Sequence, residues 1–359
     1  MLNKIKKNSF RKKLCMIGIV ISFVINLCAC NTLDSNTTIV LTTGFQKDEI
    51  FVMENIACTV PEMMVYLTTI QSQYETIYGN EIWDAVAGGI TLEENVKETS
   101  LARIAQIKAM TLLAAKHNIV LTEEEQDLVE RAATCYYETL SNELAVILGA
   151  DVELIKGLYQ DYALANKVYH YLIKDINPEI SDDEARVITV QQIFIKTYTL
   201  DENGNKVEFT ENAKKLALEK AREALVEAKE GTDFSQLVTK YSDSLDISYA
   251  FAKGEVEEAL ETVAFELATD EISGIIEGTD GYYILKCTNT FHQEETDENK
   301  IRIVEEKREE AFVQEYEVFT KTITKNLNEE LWETITFIDI TEEQTTEFFE
   351  IYDTFFDAT

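Results

Sequence analysis

The stretch VITVQQIFIKT, residues 187–197, sets the fold of the middle of the chain. Two-residue alternation places Val187, Thr189, Gln191, Ile193 and Ile195 on one face of a strand, and Ile188, Val190, Gln192 and Phe194 on the other. Next outward, DENGN at 201–205 is turn chemistry. A helix is expected over 211–230, with Ala213, Leu216, Ala217, Ala221, Ala224, Leu225 and Ala228 along one stripe. Gly231 is its stop and Asp233 the cap of a shorter helix. GTDFSQLVTKYSDS (231–244) and GEVEEALETVAFELATDEISGIIEGTDGYYILKC (254–287) complete the pattern. Over 187–288 it runs strand, long helix, short helix, turn, helix, strand, strand.

This stretch resembles a parvulin-type (PpiC/rotamase) peptidyl-prolyl isomerase domain, as carried by lipid-anchored foldases of the PrsA/SurA kind. Q-I-F-I-K (192–196) stands where that family has H-I-L-V-K, and G-T-D-F-S-Q-L-V-T-K-Y-S (231–242) and residues 254–267 match in spacing. E-I-S follows at 271–273, and G-Y-Y-I-L-K begins ten residues after Glu271. The resemblance implies an α+β fold: a mainly helical SurA/PrsA-like chaperone module over 39–180, interrupted by a parvulin domain over 181–290. That domain would be a four-stranded antiparallel sheet wrapped by helices. Residues 291–359 would return as a helix and tail packing on the amino-terminal module.

Active parvulins use a pair of histidines, a cysteine or aspartate, and a Met/Phe slot for the proline ring. Matched position by position, the first histidine is Gln192, the second is Tyr283 and the Cys/Asp position falls at Ser244. The slot's methionine is Val256 and its phenylalanine Leu260, while Phe251 and Phe265 keep their aromatic character. The resemblance thus implies catalytic positions Gln192, Ser244 and Tyr283, and a substrate-binding group of Val256, Leu260, Phe265 and Phe251. It implies no metal and no cofactor. His117, His170 and His292 are the histidines of the chain, and none falls on these positions. Gln192 and Tyr283 are expected to hydrogen bond across adjacent strands, without the ring tautomers of an imidazole pair.

Prolyl isomerisation faces an amide barrier of about 18–20 kcal/mol. No bond to carbon forms, so catalysis rests on an apolar slot and on polar groups that favour the twisted amide. Losing about 3 kcal/mol of that stabilisation slows the reaction on the order of a hundredfold. Weak isomerase activity is the expectation.

Lys4, Lys6, Lys7, Arg11, Lys12 and Lys13 precede an uncharged run at 14–29 that ends in Leu27-Cys28-Ala29-Cys30. At 1.5 Å per residue the run makes about 24 Å of helix, short for a membrane span and suited to a signal-peptide core. Residues 1–29 are therefore expected to be a lipoprotein signal peptide, with Cys30 lipidated and the polar 30–38 a tether; an uncleaved anchor is the alternative. Both place the protein at the cell membrane on its extracytoplasmic face. A formal charge of −34 repels phosphate backbones, which excludes nucleic acid as a partner. The expected partners are unfolded or Xaa-Pro-containing secreted polypeptides, with a homodimer through the helical module allowed by the resemblance.

Three capping boxes open the amino-terminal helices: Thr59-Val60-Pro61-Glu62, Thr91-Leu92-Glu93-Glu94 and Thr122 to Glu125. Their helices should end near Tyr78, His117 and Leu140, and a fourth should run from Asp151 toward Pro178. Short strands are expected at 39–42 and 49–53. The apolar faces, such as Met63, Met64, Tyr66, Leu67 and Ile70, suit a shared core or a cradle for unfolded clients. Near the carboxy terminus, Ile301, Val304, Phe312, Tyr316, Phe319, Ile323, Leu327 and Leu331 form one expected helix stripe. ITFIDI (335–340) is expected to be a strand pairing with 39–42 or 49–53, and Phe348, Phe349, Tyr352, Phe355 and Phe356 a docking helix. Cys58, Cys135 and Cys287 sit in apolar contexts as buried thiols, without disulfide or zinc spacing. DENGN lacks the ligand spacing of a calcium loop, and no P-loop, dinucleotide or G-x-S-x-G motif occurs. Two functions remain: a tethered foldase with weak isomerase activity, or a non-catalytic peptide-binding or scaffolding lipoprotein.

Overall fold

The computed structural model describes residues 44–202, 204–244, 248–339 and 347–356, so the leader, Cys30, the tether and the expected strand at 39–42 lie outside the described residues. Two compact units emerge, one of Met1–Lys174 with Phe312–Thr359, the other of Asp175–Ala311. The second is thus inserted in the chain of the first.

In the first unit, strands β1 (Glu49–Met53) and β2 (Ile56–Thr59) pair antiparallel. Helix α1 (Val60–Tyr78) follows, then a short ribbon of β3 (Val86–Ala87) and β4 (Ile90–Thr91). Helices α2 (Leu92–Lys116), α3 (Glu123–Thr139), α4 (Asn142–Leu148) and α5 (Val152–Ile173) build the bundle. All three capping boxes form where the sequence places them. At Thr59, for example, the Glu62 carboxylate accepts from the backbone N–H at 2.7 Å and from the hydroxyl at 3.1 Å. Glu62 also meets the buried Lys108 at 2.6 Å, and Asp161 approaches the same ammonium at 2.8 Å. Burial pulls the Lys108 pKa down, and the two carboxylates more than reverse that, holding it above the usual lysine range. Sequence reasoning missed α4, although Ser141 caps it and Gly149 ends it in the left-handed region.

The second unit opens with α6 (Asp182–Ala185) and β5 (Val187–Lys196). A hairpin of β6 (Tyr198–Leu200) and β7 (Lys206–Glu208) closes on DENGN, where the Asp201 carboxylate accepts from the Asn205 N–H at 2.8 Å. Then come α7 (Glu211–Lys229), α8 (Phe234–Tyr241), β8 (Ser248–Ala252), α9 (Glu258–Ala264), β9 (Ile276–Glu277) and β10 (Gly281–Asn289). The segment read as a turn between the short helices is in fact strand β8. It gives a four-stranded antiparallel sheet in the order β8-β5-β10-β9, the sheet expected of the α+β fold. The α7 stripe differs at one residue: Ala217, Ala221, Ala224 and Ala228 are buried, but Leu216 is 67 % exposed and Leu218 packs instead.

Helix α10 (Gln293–Thr320) starts in the second unit and ends in the first. Its expected stripe is shorter than the pattern suggested. Phe312 and Phe319 are buried, Ile301 is exposed, and Ile323 and Leu327 lie beyond the helix end. Strand β11 (Lys325–Leu327) pairs with β1, Phe51 opposite Leu327 and Met53 opposite Lys325. The expected strand at 335–340 is not formed over its described residues. Gln71 takes the partner's place, donating from Nε2 to the Ile338 carbonyl at 2.7 Å and accepting from the Ile338 N–H at 3.3 Å. After α11 (Glu329–Glu333), the tail helix α12 (Phe348–Phe356) docks with Phe348, Phe349, Ile351 and Tyr352 buried. Met63, Met64, Tyr66 and Leu67 also lie in this core. Cys58 and Cys287 are buried as expected, and Cys135 is half-buried.

Candidate functional site

The alternation of β5 sends Ile193 and Ile195 toward α7 and α8, and Ile188 and Val190 toward the opposite face. That opposite face carries Gln192. Three segments converge there: Tyr249 and Phe251 from β8, Leu260 and Ala264 from α9, and Tyr283, Leu285 and Cys287 from β10. Val256 and Phe265 pack at the margin of the same cluster. Gln192, Phe251, Leu260 and Tyr283, from β5, β8, α9 and β10, therefore meet on one side of one sheet, with Val256 and Phe265 beside them.

Gln192 and Tyr283 occupy neighbouring strands, but they do not bond to each other. In the antiparallel register Gln192 stands opposite Leu285, and Tyr283 stands opposite Phe194, two residues along. Directly opposed pairs are the close ones in a sheet, and the offset puts a glutamine and a tyrosine on a diagonal. The Gln192 carboxamide oxygen instead accepts from the Tyr249 hydroxyl at 3.0 Å, and its Nε2 has no partner among the described residues. Tyr283 stacks on Phe194 with centroids 4.7 Å apart and planes at 28°. Burial, helped by the nearby Asp280 and Glu257 carboxylates, pushes its phenol up to about 12. The phenol is therefore neutral at ordinary pH. Tyr282 points to the opposite face, where it packs with Ile193 and Ile284, while Tyr283 is half-buried on the side of Gln192.

Ser244 is held by the segment that finishes the open edge of β5. Over the described residues, strand β8 covers β5 only as far as Gln191, opposite Ser248. Beyond that point Ser242 and Asp243 supply the missing partners. Ser242 Oγ accepts from the Phe194 N–H at 3.1 Å and the Ser244 N–H at 3.2 Å. The Asp243 N–H donates to the Phe194 carbonyl at 2.7 Å, and its carboxylate accepts from the Lys196 N–H at 3.1 Å. The open edge of β5 is thereby covered by Ser242 and Asp243.

The apolar group is tightly assembled. Phe251 meets Phe265 edge to face at 5.7 Å and Tyr249 at 5.5 Å. Arg186 lies over the Phe265 ring at 5.0 Å and donates to its carbonyl at 3.2 Å. Leu260 is 5 % exposed and Phe251 3 %.

Sequence reasoning missed two members, Tyr249 and Glu257. Tyr249 shares a face with Phe251 by simple two-residue alternation, a signal available once the segment is taken as a strand. Glu257 draws the 278–280 turn onto the site, accepting from the Thr279 N–H at 2.8 Å and hydroxyl at 3.0 Å. Gly278 permits that closeness: a Cβ there would stand 2.8 Å from Glu257 Oε2 and 2.8 Å from Tyr283 Cε2. No cluster able to hold a metal ion occurs among the described residues. The arrangement offers the fixed dipoles of the Gln192 amide and of the Tyr249 and Tyr283 hydroxyls beside an apolar wall.

Comparison with known proteins agrees with the resemblance read from the sequence. Residues 193–289 match the family described as "Rotamase: PPIC-type PPIASE domain". The chain is similar to the foldase protein PrsA of Halalkalibacterium halodurans, at 27 % identity over 235 residues that cover 62 % of this chain and 66 % of that one. Among solved structures, the PrsA peptidylprolyl isomerase of Bacillus cereus aligns at 15 % identity and TM-score 0.36, covering 83 % of this chain and 95 % of the other. The foldase PrsA of Streptococcus pneumoniae aligns at 20 % identity and TM-score 0.29, covering 76 % and 99 %.

Proposed function

We propose that this chain is a membrane-tethered, extracytoplasmic foldase of the parvulin type whose rotamase domain isomerises Xaa-Pro bonds only weakly. The observation that carries the weak-activity reading is the polar centre itself. Gln192 is bonded to Tyr249, and Tyr283 is stacked on Phe194, where an active parvulin has two imidazoles. An amide donor from Gln192 Nε2 still suits a twisting prolyl amide, so a residual rate is expected rather than none. Clients would be unfolded secreted polypeptides held by the helical unit. The tether follows from the basic start, the uncharged 14–29 run and Cys30. Among the described residues no helix is long and apolar enough to cross a membrane.

A second reading, a non-catalytic peptide-binding or scaffolding lipoprotein, is favoured by the burial of Leu260 and Phe251, which suits a filled slot. A protease-coupled proline-peptide assay separates the two. Wild-type protein is expected to accelerate isomerisation slightly, and Gln192→His with Tyr283→His to raise the rate by one to two orders of magnitude, a gain of about 1.4–2.7 kcal/mol. Rapid turnover by the wild type would sink the weak-activity reading, and no turnover by either form would favour scaffolding. The foldase role itself is checked by suppression of aggregation of an unfolded client.

A further inference from the structure

We propose that the groove occupied by tail helix α12 is the client site of the helical unit, and that α12 is its resident competitor. The inference rests on the foldase reading and names the segment chemistry that site takes. Phe348 stacks on Tyr159 at 4.3 Å and 20°, with Tyr66 and Tyr136 at 5.1 Å and 5.3 Å on its other sides. Arg103 lies over the Phe349 ring at 3.8 Å, and Tyr162 meets Tyr352 edge-on at 4.7 Å. Helix α12 therefore enters as FFEIY, two aromatic residues and then a third at a helical step, with Glu350 and Asp353 between and after them. Arg103 and Arg131, the latter 5.1 Å from the Phe355 ring, supply positive charge to this groove on a chain of net −34. The charge and the ring spacing together select aromatic segments with acidic residues, folding into a short helix as they dock.

A second observation indicates that the fit to α12 is incomplete. The Tyr159 hydroxyl donates to the Phe348 carbonyl at 2.7 Å, but Tyr66, whose ring packs on Phe348 and Phe349, has a buried hydroxyl with no hydrogen-bond partner among the described residues. Buried polar groups are nearly always paired, and an unused one on a ring that lines an occupied groove points to a different occupant. A client segment carrying a hydroxyl, amide or carboxylate at that place would engage it and compete with α12.

The test uses a fluorescein-labelled peptide of residues 347–356 and the same peptide with Phe348→Ala and Phe349→Ala. The unaltered peptide should bind a chain ended after Asp339 at least tenfold more tightly than the whole chain, and the double-alanine peptide should bind neither. Should the shortened chain fail to fold, the whole chain still decides. At saturating peptide, hydrogen exchange across 348–356 should accelerate as α12 is displaced. Unchanged exchange, or no binding to either chain, would make α12 a fixed part of the core and overturn the proposal. Displacement of α12 without any suppression of client aggregation would leave the groove standing and remove the foldase reading instead.

Discussion

At the scale of single residues, the site works through a few contacts that can be changed one at a time. The Tyr249 hydroxyl is the hydrogen-bond partner of the Gln192 oxygen. Tyr249→Phe is expected to destabilise the second unit by about 1 kcal/mol, read by urea unfolding, because a half-buried amide oxygen is left unpaired. Gly278→Ala should cost about 1–3 kcal/mol, since its Cβ must displace either Glu257 or the Tyr283 ring. Tyr283 also gives a pH signature. Its folded pKa, about 12, lies above the usual tyrosine value of 10.0, so the folded state holds this proton more tightly. Its contribution to stability is complete below pH 10 and is lost as pH rises from there through about 12. Tyr283→Phe should flatten that part of the stability profile; an unaltered profile would refute the assignment.

Among the elements, local chemistry fixes the ends and nonlocal contacts fix the pairings. Ser242 shows the second kind, because its hydroxyl completes the part of β5 that β8 leaves bare. Ser242→Ala should speed hydrogen exchange of the Phe194 amide selectively, with a loss of about 1–2 kcal/mol in the second unit. Little of this could be seen in sequence. A serine after an amphipathic helix is compatible with a cap, a turn or an edge contact, and only the path of the chain selects among them. The capping boxes lie at the opposite extreme. Thr91, Thr122 and their glutamates are three residues apart, so their geometry is set within one turn and was legible in full.

For the whole molecule the dominant quantity is charge. Sixty-six acidic against thirty-two basic residues give −34, and self-repulsion at that excess opposes compaction. Raising ionic strength from about 0.01 M to 0.15 M shortens the Debye length from roughly 30 Å to 8 Å. Thermal stability should therefore increase over that range, by calorimetry, even though the surface ion pairs individually weaken. A fall in Tm would mean that ion pairs such as Lys240–Glu227 and Lys214–Glu208 outweigh the general repulsion.

The sequence alone determined most of the helices and strands, where the capped helices start, and that a glutamine and a tyrosine stand at 192 and 283. Those properties depend on residues a few positions apart or on chemical identity itself. Tertiary structure decided that residues 325–327 rather than 335–340 pair with β1, that Gln71 satisfies the displaced stretch, and that Gln192 bonds to Tyr249 across a separation of 57 residues. Each of those choices sets partners of similar local propensity against one another. Register, burial and the route of the intervening chain settle such contests, and no short window of sequence contains them.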